Sequence, residues 1–290
     1  MTELPLISVI MNCHNSEEFL REAIDCVLNQ TYSNFEVVFW DNCSSDHSAE
    51  IVKSYDDNRI KYYYASQKTL LGQARNLAIS KSKGELITFL DCDDLWDNNW
   101  LETVSNEFSN NYKLAIVYCR FAIFGNKTDT IMRKVSNEDS ILDLDFFIDN
   151  YTLGMSGSCF RKSIWEEGNI RFSDNYNLIE DYDFFLRIAS HGEVKYLVHP
   201  YMHYRIHGNN LTDKSSSWTS ELKDLRSKIE QQAPSYEHLK KHIPALNKKI
   251  KEYAFHDMMI VEKLYFKAFI THPVSTLLFF YSKLRNILQP

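Results

Sequence analysis

The chain has 290 residues, of which 44% are hydrophobic and 24% are charged, and this ordinary globular composition excludes a disordered or fibrous protein. The formal net charge of −7 argues against a dedicated nucleic-acid-binding protein. The charge is unevenly divided, because residues 218–290 contain 12 Lys and Arg against 7 Asp and Glu, whereas residues 1–217 contain 20 against 32. The sequence therefore predicts an acidic body and a basic tail.

The first hundred residues alternate between short apolar runs and amphipathic segments. The runs predict strands at 6–11, 35–40, 60–65 and 85–90, and the segments predict helices at 16–28, 48–55, 72–81 and 100–108. Strands that alternate with helices at this spacing indicate βαβ crossovers. The pattern predicts an α/β fold with a Rossmann-like, mostly parallel central sheet.

The later residues carry a more mixed pattern. It predicts one long strand or a strand pair at 114–124, a polar loop at 127–139, strands at 156–161, 194–198 and 201–206, and helices at 163–167 and 180–190. From residue 217 the pattern is helical to the end, interrupted by prolines. We therefore divide the chain into a domain over 1–216 and a helical C-terminal extension over 217–290.

Targeting and cysteine patterns predict a cytoplasmic protein. The six cysteines form no CxxC pair and no zinc-ligand spacing, and the first 15 residues lack the basic region of a signal peptide. The apolar stretch at 264–281 contains Lys267, His272 and Pro273, so it does not predict a membrane-spanning helix.

Polar residues follow the first, second and fourth predicted strands, at Asn12–Asn15, Asp41–Asp46 and Asp91–Asp94. In open α/β sheets, ligands bind outside the carboxyl ends of the strands. The three carboxylates of Asp91–Asp94 would repel one another in a cleft, and a divalent cation is the simplest way to stabilise them. Oxygen ligands favour Mg²⁺ or Mn²⁺. The alternative is a solvated loop that caps the next helix.

Four segments carry a family resemblance. They are LISVIMNCHN, VVFWDNCSSD, GQARNLAISKSKGELITFLDCDD and NLIEDYDFFLRIA. In order and spacing, over about residues 4–210, they resemble a bacterial family 2 glycosyltransferase of the GT-A fold. The resemblance implies a nucleotide-sugar part over about 1–110 and an acceptor part over about 111–216.

The resemblance also implies the donor site. It assigns nucleotide binding to Asn12, Cys13, His14, Asn15, Asp41, Arg75, Asp91 and Cys92. An aspartate after the second strand can accept the imide N–H of uracil, so the implied donor is a UDP-sugar. The usual glycine after Asp41 is replaced by Asn42-Cys43, and because asparagine tolerates a positive φ we expect the turn to persist.

A metal and a donor or acceptor surface are implied in the same way. Mn²⁺ or Mg²⁺ is assigned to Asp93, Asp91 and His207, with Asp93 as the main ligand. Donor or acceptor contacts are assigned to Asp94, Trp96 and Arg205. For Trp96 and its neighbour Trp100, packing in the core remains an equal alternative.

The Glu180-Asp181 pair resembles the family's ED motif. Direct displacement at an anomeric carbon needs a base that takes the proton of the acceptor hydroxyl. We expect Asp181 to be this base, with Glu180 and Asp183 as the next candidates. The alternative is that the acidic pair only favours the start of a helix.

These expectations predict an inverting, metal-dependent hexosyl- or N-acetylhexosaminyltransferase. It would move a sugar from a UDP-sugar to a hydroxyl of a glycan or lipid-linked acceptor in bacterial surface polysaccharide synthesis. No QxxRW segment follows the ED motif, which argues against a processive synthase. Two alternatives stay open. The LDCDD segment also resembles a haloacid-dehalogenase-like phosphatase, although that class needs its nucleophile after the first strand, and a non-catalytic sugar-nucleotide binder is the other.

The basic extension predicts contact with an anionic partner. An apolar stripe over 255–269 and the Leu277–Phe280 run beside Lys283 and Arg285 are typical of a helix in a membrane interface. We expect a peripheral location on the inner face of the cytoplasmic membrane, a homodimer contact, or a helical cap on the catalytic domain.

Overall fold

In a computed structural model of the chain, the described residues are 4–125, 130–131, 135–208 and 218–257. The first elements in chain order are β1 (Ile7–Cys13), α1 (Leu20–Leu28), β2 (Phe35–Asp41), α2 (Ser48–Lys53), β3 (Ile60–Tyr64), α3 (Leu71–Lys81), β4 (Leu86–Phe89), β5 (Leu95–Trp96) and α4 (Trp100–Asn110). They are followed by β6 (Leu114–Gly125), β7 (Thr130–Ile131), β8 (Ser140–Leu142), α5 (Leu144–Asp149), β9 (Ser158–Arg161), α6 (Lys162–Glu167), α7 (Glu180–Ala189), β10 (Glu193–Ile206), α8 (Thr219–Glu230) and α9 (Ile243–His256).

Within these ranges, ten strands form a single sheet. Its order is β3-β2-β1-β4-β9-β6-β10-β5, with β7 paired to β6 and β8 paired to β10. Strands β1 to β4 pair in parallel, as the βαβ pattern predicts. Strand β9 runs antiparallel to both β4 and β6, so the second half of the sheet is mixed rather than parallel. The predicted α/β fold with a central sheet is confirmed.

Two apolar layers cover the sheet because successive strand residues point to opposite faces. Val9 of β1 packs with α1, α2 and α4, whereas the next residue, Ile10, packs with α3, α5 and α7. Strands β1 and β2 are buried on both faces, and this explains their continuous apolar sequences.

Several elements differ from the prediction. Strand β10 runs through His199-Pro200 as one strand, because a register shift against β6 between Leu197 and Met202 accommodates the proline. Helix α1 begins at Leu20 rather than Ser16, because residues 17–19 form a turn before it, and the N–H of Ser16 donates to Ser48 Oγ at 3.0 Å. The short elements β5, β7, β8 and α5 were not predicted, and β7 pairs with β6 inside the segment predicted as a polar loop. Part of the predicted loop at 127–139 lies outside the described residues.

The described part of the extension packs on the body of the protein. Leu222, Leu225 and Leu246 of α8 and α9 share one apolar cluster with Tyr182 and Leu186 of α7. Among the helices described, none is both long enough and apolar enough to cross a bilayer. The predicted membrane-interface residues beyond 257 lie outside the described residues.

Candidate active site

The carboxyl end of β1 presents an amide without a partner. Asn12 continues the register that places it beside Trp40 of β2, and among the described residues neither its Oδ1 nor its Nδ2 has a hydrogen-bond partner. Buried polar groups in native proteins are nearly always paired. Within the described ranges both amide atoms are buried and unpaired, and the role of Asn12 in nucleotide binding stays a prediction.

The loop after β2 is shaped by Asp41. Its Oδ1 accepts the N–H of Ser44 at 2.8 Å, and its Oδ2 accepts the hydroxyl of Tyr62 at 2.7 Å. The residue is completely buried, so its predicted contact with a base is not available in this conformation. The positive φ of the turn, 65°, falls on Cys43 rather than on Asn42. Asp41 therefore supports the loop instead of lining a surface.

His14 and Asn15 connect the loops after β1 and β2. The Nδ1 of His14 lies 3.0 Å from the carbonyl of Asn42, and Asn15 Oδ1 accepts the N–H of Ser45 at 2.8 Å. Asn15 has a φ of 56°, a conformation that asparagine tolerates better than most residues. Both residues remain partly accessible at the mouth of the site.

Cys13 and Cys92 lie side by side beneath this mouth. The Cys92 thiol donates to the carbonyl of Asn12 at 3.4 Å, and a hydrogen bond with Cys92 is the main reason that the pKa of Cys13 is lowered to about 7. Both side chains are buried in the core cluster. Their predicted contact with a nucleotide through the side chain is therefore not available.

Two of the three predicted metal ligands meet. The Nε2 of His207 lies 2.9 Å from Oδ2 of Asp93, which brings the end of β10 to the loop after β4. Asp91 stands nearby, with its carboxylate 4.0 Å from Arg75, and its side chain is partly exposed. Across the described ranges, no three metal-binding side chains converge on one point. Asp93 and His207 would leave a Mg²⁺ or Mn²⁺ ion to take most of its ligands from a diphosphate and water, and the metal site stays a prediction.

Asp94 and Arg205 form internal contacts that stabilise the loop of Asp91–Asp94 after β4. Asp94 accepts the Ser156 hydroxyl at 2.7 Å and the backbone N–H of Arg205 at 3.1 Å, and burial raises its pKa well above the ordinary value. The Arg205 guanidinium lies over the rings of Phe19 and Phe124 and donates to the carbonyl of Asp93 at 2.9 Å. The predicted contacts of Asp94 and Arg205 with donor or acceptor are replaced by these internal ones.

Trp96 and Trp100 belong to the core. Both are at least nine-tenths buried, and their rings pack 6.2 Å apart. The indole of Trp100 donates to Thr88 Oγ1 at 3.3 Å. The predicted contact of Trp96 with donor or acceptor is wrong, and the packing alternative holds, because Trp96 of β5 and Trp100 at the start of α4 are both buried in the core.

Arg75 of α3 joins the two acidic groups of the site. Its Nη1 donates to Glu180 Oε1 at 2.5 Å, and its Nη2 lies 4.0 Å from Asp91 Oδ1. The guanidinium is buried against the ring of Phe172. Burial raises the pKa of Glu180 even though the charge of Arg75 opposes this shift.

Asp181 is the second residue of α7 and is partly buried. Its Oδ2 accepts the hydroxyl of Tyr151 at 3.3 Å, and its Oδ1 accepts the N–H of Tyr182 at 2.8 Å. Burial raises the pKa of Asp181, which makes its carboxylate a better proton acceptor near neutral pH. Asp183 is fully buried in an ion pair with Arg187 and cannot reach an acceptor.

Two further residues belong to the surroundings of Asp181, namely Tyr151 and, from α8, Glu221. The sequence analysis predicted neither of them. Glu221 accepts three backbone N–H groups just before α7. No motif marks a residue whose partners are backbone groups, and Tyr151 lies in a segment without a recognisable pattern.

Comparison with known proteins identifies the family. The sequence profile described as glycosyl transferase family 2 matches residues 8–168. An uncharacterized glycosyltransferase of Rickettsia typhi is 30% identical over 243 residues, which cover 77% of this chain and 74% of the relative. An Escherichia coli enzyme named UDP-Glc:alpha-D-GlcNAc-diphosphoundecaprenol beta-1,3-glucosyltransferase WfgD is 36% identical over 124 residues, 42% of this chain and 48% of the enzyme.

Solved structures share the fold. Residues 1–349 of S. aureus TarS in complex with UDP-GlcNAc superpose with a TM-score of 0.70 at 18% identity, covering 88% of this chain and 73% of that chain. The Pyrobaculum calidifontis mannosyltransferase PcManGT in complex with GDP-Man and Mn²⁺ gives a TM-score of 0.61 at 16% identity, covering 98% and 81%. The fold is that of the GT-A glycosyltransferases, and the chain is a glycosyltransferase that belongs to glycosyl transferase family 2.

Proposed function

We propose that the protein is an inverting, divalent-metal-dependent glycosyltransferase that moves a hexose or N-acetylhexosamine from a UDP-sugar to an acceptor hydroxyl. The observation that carries the proposal is the Asp93–His207 pair at 2.9 Å, with Arg75 joining Asp91 to the Glu180-Asp181 pair. This arrangement supports a donor site with a proton acceptor beside it.

The donor-binding part of the proposal rests on polar side chains near the carboxyl ends of the strands. Asp93 and His207 would hold the metal, with Asp91 beside them, and a bound Mn²⁺ or Mg²⁺ supplies positive charge to the diphosphate. The unpaired amide of Asn12 would bind the nucleotide. Arg75 lies between the carboxylates, where it can offset the charge of a leaving diphosphate.

The transfer step would use Asp181 as general base. Its carboxylate takes the proton of the acceptor hydroxyl while that oxygen forms a bond to the anomeric carbon. The bond from the anomeric carbon to the phosphate oxygen breaks, and its electron pair leaves with UDP. One such displacement inverts the anomeric configuration.

The donor and acceptor classes rest on relatives. The TarS complex contains UDP-GlcNAc, and the name of WfgD specifies a UDP-Glc donor and a diphosphoundecaprenol-linked acceptor. The PcManGT complex contains GDP-Man, so a guanine nucleotide is the natural control. We propose a glycan or lipid-linked acceptor used in bacterial surface polysaccharide synthesis.

Calorimetry tests the donor half. We expect UDP to bind in the presence of Mn²⁺, to bind far more weakly in EDTA, and to bind more tightly than GDP. Asp93→Ala should lose the Mn²⁺-dependent part, whereas Asp25→Asn, on the exposed side of α1, should keep it. Equal UDP affinity in Mn²⁺ and EDTA would contradict the metal-bridged donor.

Contact with the membrane through residues 217–290 is a separate part of the proposal. The excess of Lys and Arg in this segment supports attraction to anionic lipids. Co-sedimentation of the full chain with anionic vesicles should be weakened by salt and lost when residues 270–290 are removed. A chain that ignores the vesicles and changes only its oligomeric state on this truncation would make the segment a dimer contact.

A further inference from the structure

The segment just before α7 is held by a carboxylate of the C-terminal extension. Oε1 of Glu221 accepts the N–H of Asn177 at 3.1 Å, and its Oε2 accepts those of Leu178 at 3.0 Å and Ile179 at 3.1 Å. Ile179 is the N-cap residue of α7 and provides no side-chain cap. Glu221 therefore fixes three consecutive peptide units that lead into the helix.

The first two residues of α7 are Glu180 and Asp181, which depend differently on these peptide units. Glu180 has its own strong partner, because Arg75 binds its carboxylate at 2.5 Å. Among the described residues, Asp181 has one hydrogen bond from outside α7, the 3.3 Å contact with Tyr151, and its other hydrogen bond is with the backbone of α7 itself. The direction of the Asp181 carboxylate therefore follows the start of the helix.

We propose that Glu221 is a positioning residue for transfer, which orients Asp181 by holding the start of α7. The proposal rests on the proposed function, in which Asp181 is the general base. It makes the C-terminal extension a part of the active site, since Glu221 lies in the first turn of α8.

A second carboxylate on α8 provides a matched control. Asp224 lies one turn further along α8 and accepts the hydroxyl of Tyr176 at 2.9 Å, so it attaches the extension to the same segment of the body. It does not touch the peptide units before α7. A purely structural role for Glu221 predicts that loss of either carboxylate has the same kind of effect.

The experiment uses full-length Glu221→Ala, Glu221→Gln and Asp224→Ala, assayed by UDP release from UDP-glucose or UDP-N-acetylglucosamine, whichever the wild type hydrolyses faster. We expect Glu221→Ala to lower kcat roughly 10- to 100-fold without changing UDP affinity, because a small misplacement of a catalytic group has such a cost. Glu221→Gln, which keeps one oxygen acceptor, should lose less. Asp224→Ala should lower the melting temperature and leave kcat unchanged.

Two further readouts separate positioning from stability. Amide hydrogen exchange at Asn177–Ile179 should become faster in Glu221→Ala and stay slow in Asp224→Ala. In the Asp181→Asn background, Glu221→Ala should cause no further loss of kcat, since residues that act as a unit are not additive. If Glu221→Ala lowers kcat further in the Asp181→Asn background, the positioning role is wrong. It is also wrong if Glu221→Ala alone keeps the wild-type kcat while Asp181→Asn is inactive. Wild-type kcat in Asp181→Asn would overturn the base assignment instead, and Glu221 would then only cap the helix.

Discussion

The two acidic groups of the active site are held by different parts of the molecule. The loop of Asp91–Asp94 is fixed from the sheet, because β10 contributes the N–H of Arg205 and His207, just after β10, contributes its ring. The Glu180-Asp181 pair is held by Arg75 from the donor side and, through the start of α7, by Glu221 of the extension.

This difference has a consequence for function. In the proposed function, donor binding depends on residues whose positions are set by the sheet, whereas the proposed base depends on how α7, α8 and α9 pack together. We therefore expect variants of the two groups to separate nucleotide affinity from turnover. The following predictions test this separation, from the largest expected effect to the smallest.

Asp181→Asn should lower kcat by a factor of roughly 100 to 10,000, which is the usual cost of losing a general base. UDP affinity in the presence of Mn²⁺ should not change, because Asp181 lies on the α7 side of the site. Steady-state kinetics and calorimetry on the same preparation measure both quantities. Asp174→Asn, a change in an exposed residue near the same loop, is the control. Turnover at the wild-type rate would move the base elsewhere.

Asp183→Ala should destabilise the fold by about 3–5 kcal/mol, because it leaves the buried guanidinium of Arg187 without its partner. Tyr236→Phe removes only the 2.8 Å bond from the extension to Asp183 and should cost about 1 kcal/mol. Urea unfolding measures the two values. Similar values for both variants would show that the ion pair is not the dominant interaction at this junction.

Arg205→Ala should weaken Mn²⁺-dependent UDP binding about 10- to 100-fold, the usual cost of removing a group that orients metal ligands. The reason is that Arg205 holds the backbone of Asp93 and packs between two aromatic rings. Arg21→Ala on the exposed side of α1 serves as the control in calorimetry. Unchanged affinity would mean that Arg205 of β10 does not determine the position of the Asp91–Asp94 loop.

The pH profile of kcat should show an acid limb above the ordinary Asp range. Asp181 must be ionised to accept a proton, and burial raises its pKa, so activity is lost as the pH falls through that raised value. The Tyr151 hydroxyl stabilises the ionised form and lowers the pKa. Tyr151→Phe should therefore move the limb to higher pH, by about one unit or less. A shift to lower pH would contradict this bond.

The sequence predicts the elements from β1 to β4 well and the later elements less well. Strands β1 to β4 repeat one regular βαβ pattern, which local periodicity reports directly. Strand β10 was predicted as two strands because Pro200 interrupts the pattern, while the partner strand β6, which compensates for the interruption, is distant in sequence. Short elements such as β5 and α5 have too few residues to show a period.

The site divides in a similar way. The polar residues after the strands predicted Asp93, the family resemblance added His207 and Arg75, and the structure places His207 against Asp93 and Arg75 near Asp91. The sequence pattern could not distinguish Asp94 from Asp93. The Asp94 carboxylate is buried by Ser156 and Arg205, which are 62 and 111 residues away in the sequence. Burial of a side chain is decided by such distant partners, and the same is true of Asp41 and Trp96.

The shared apolar cluster of α7, α8 and α9 also affects how the chain folds during synthesis. Tyr182 and Leu186 emerge from the ribosome well before their partners Leu222 and Leu246. At about 5–20 residues per second, one side of α7 stays uncovered for several seconds while the rest of the chain is made. The apolar side of the catalytic helix is therefore the surface of the nascent chain that chaperones would be expected to bind, and it is closed only when α9 has been translated.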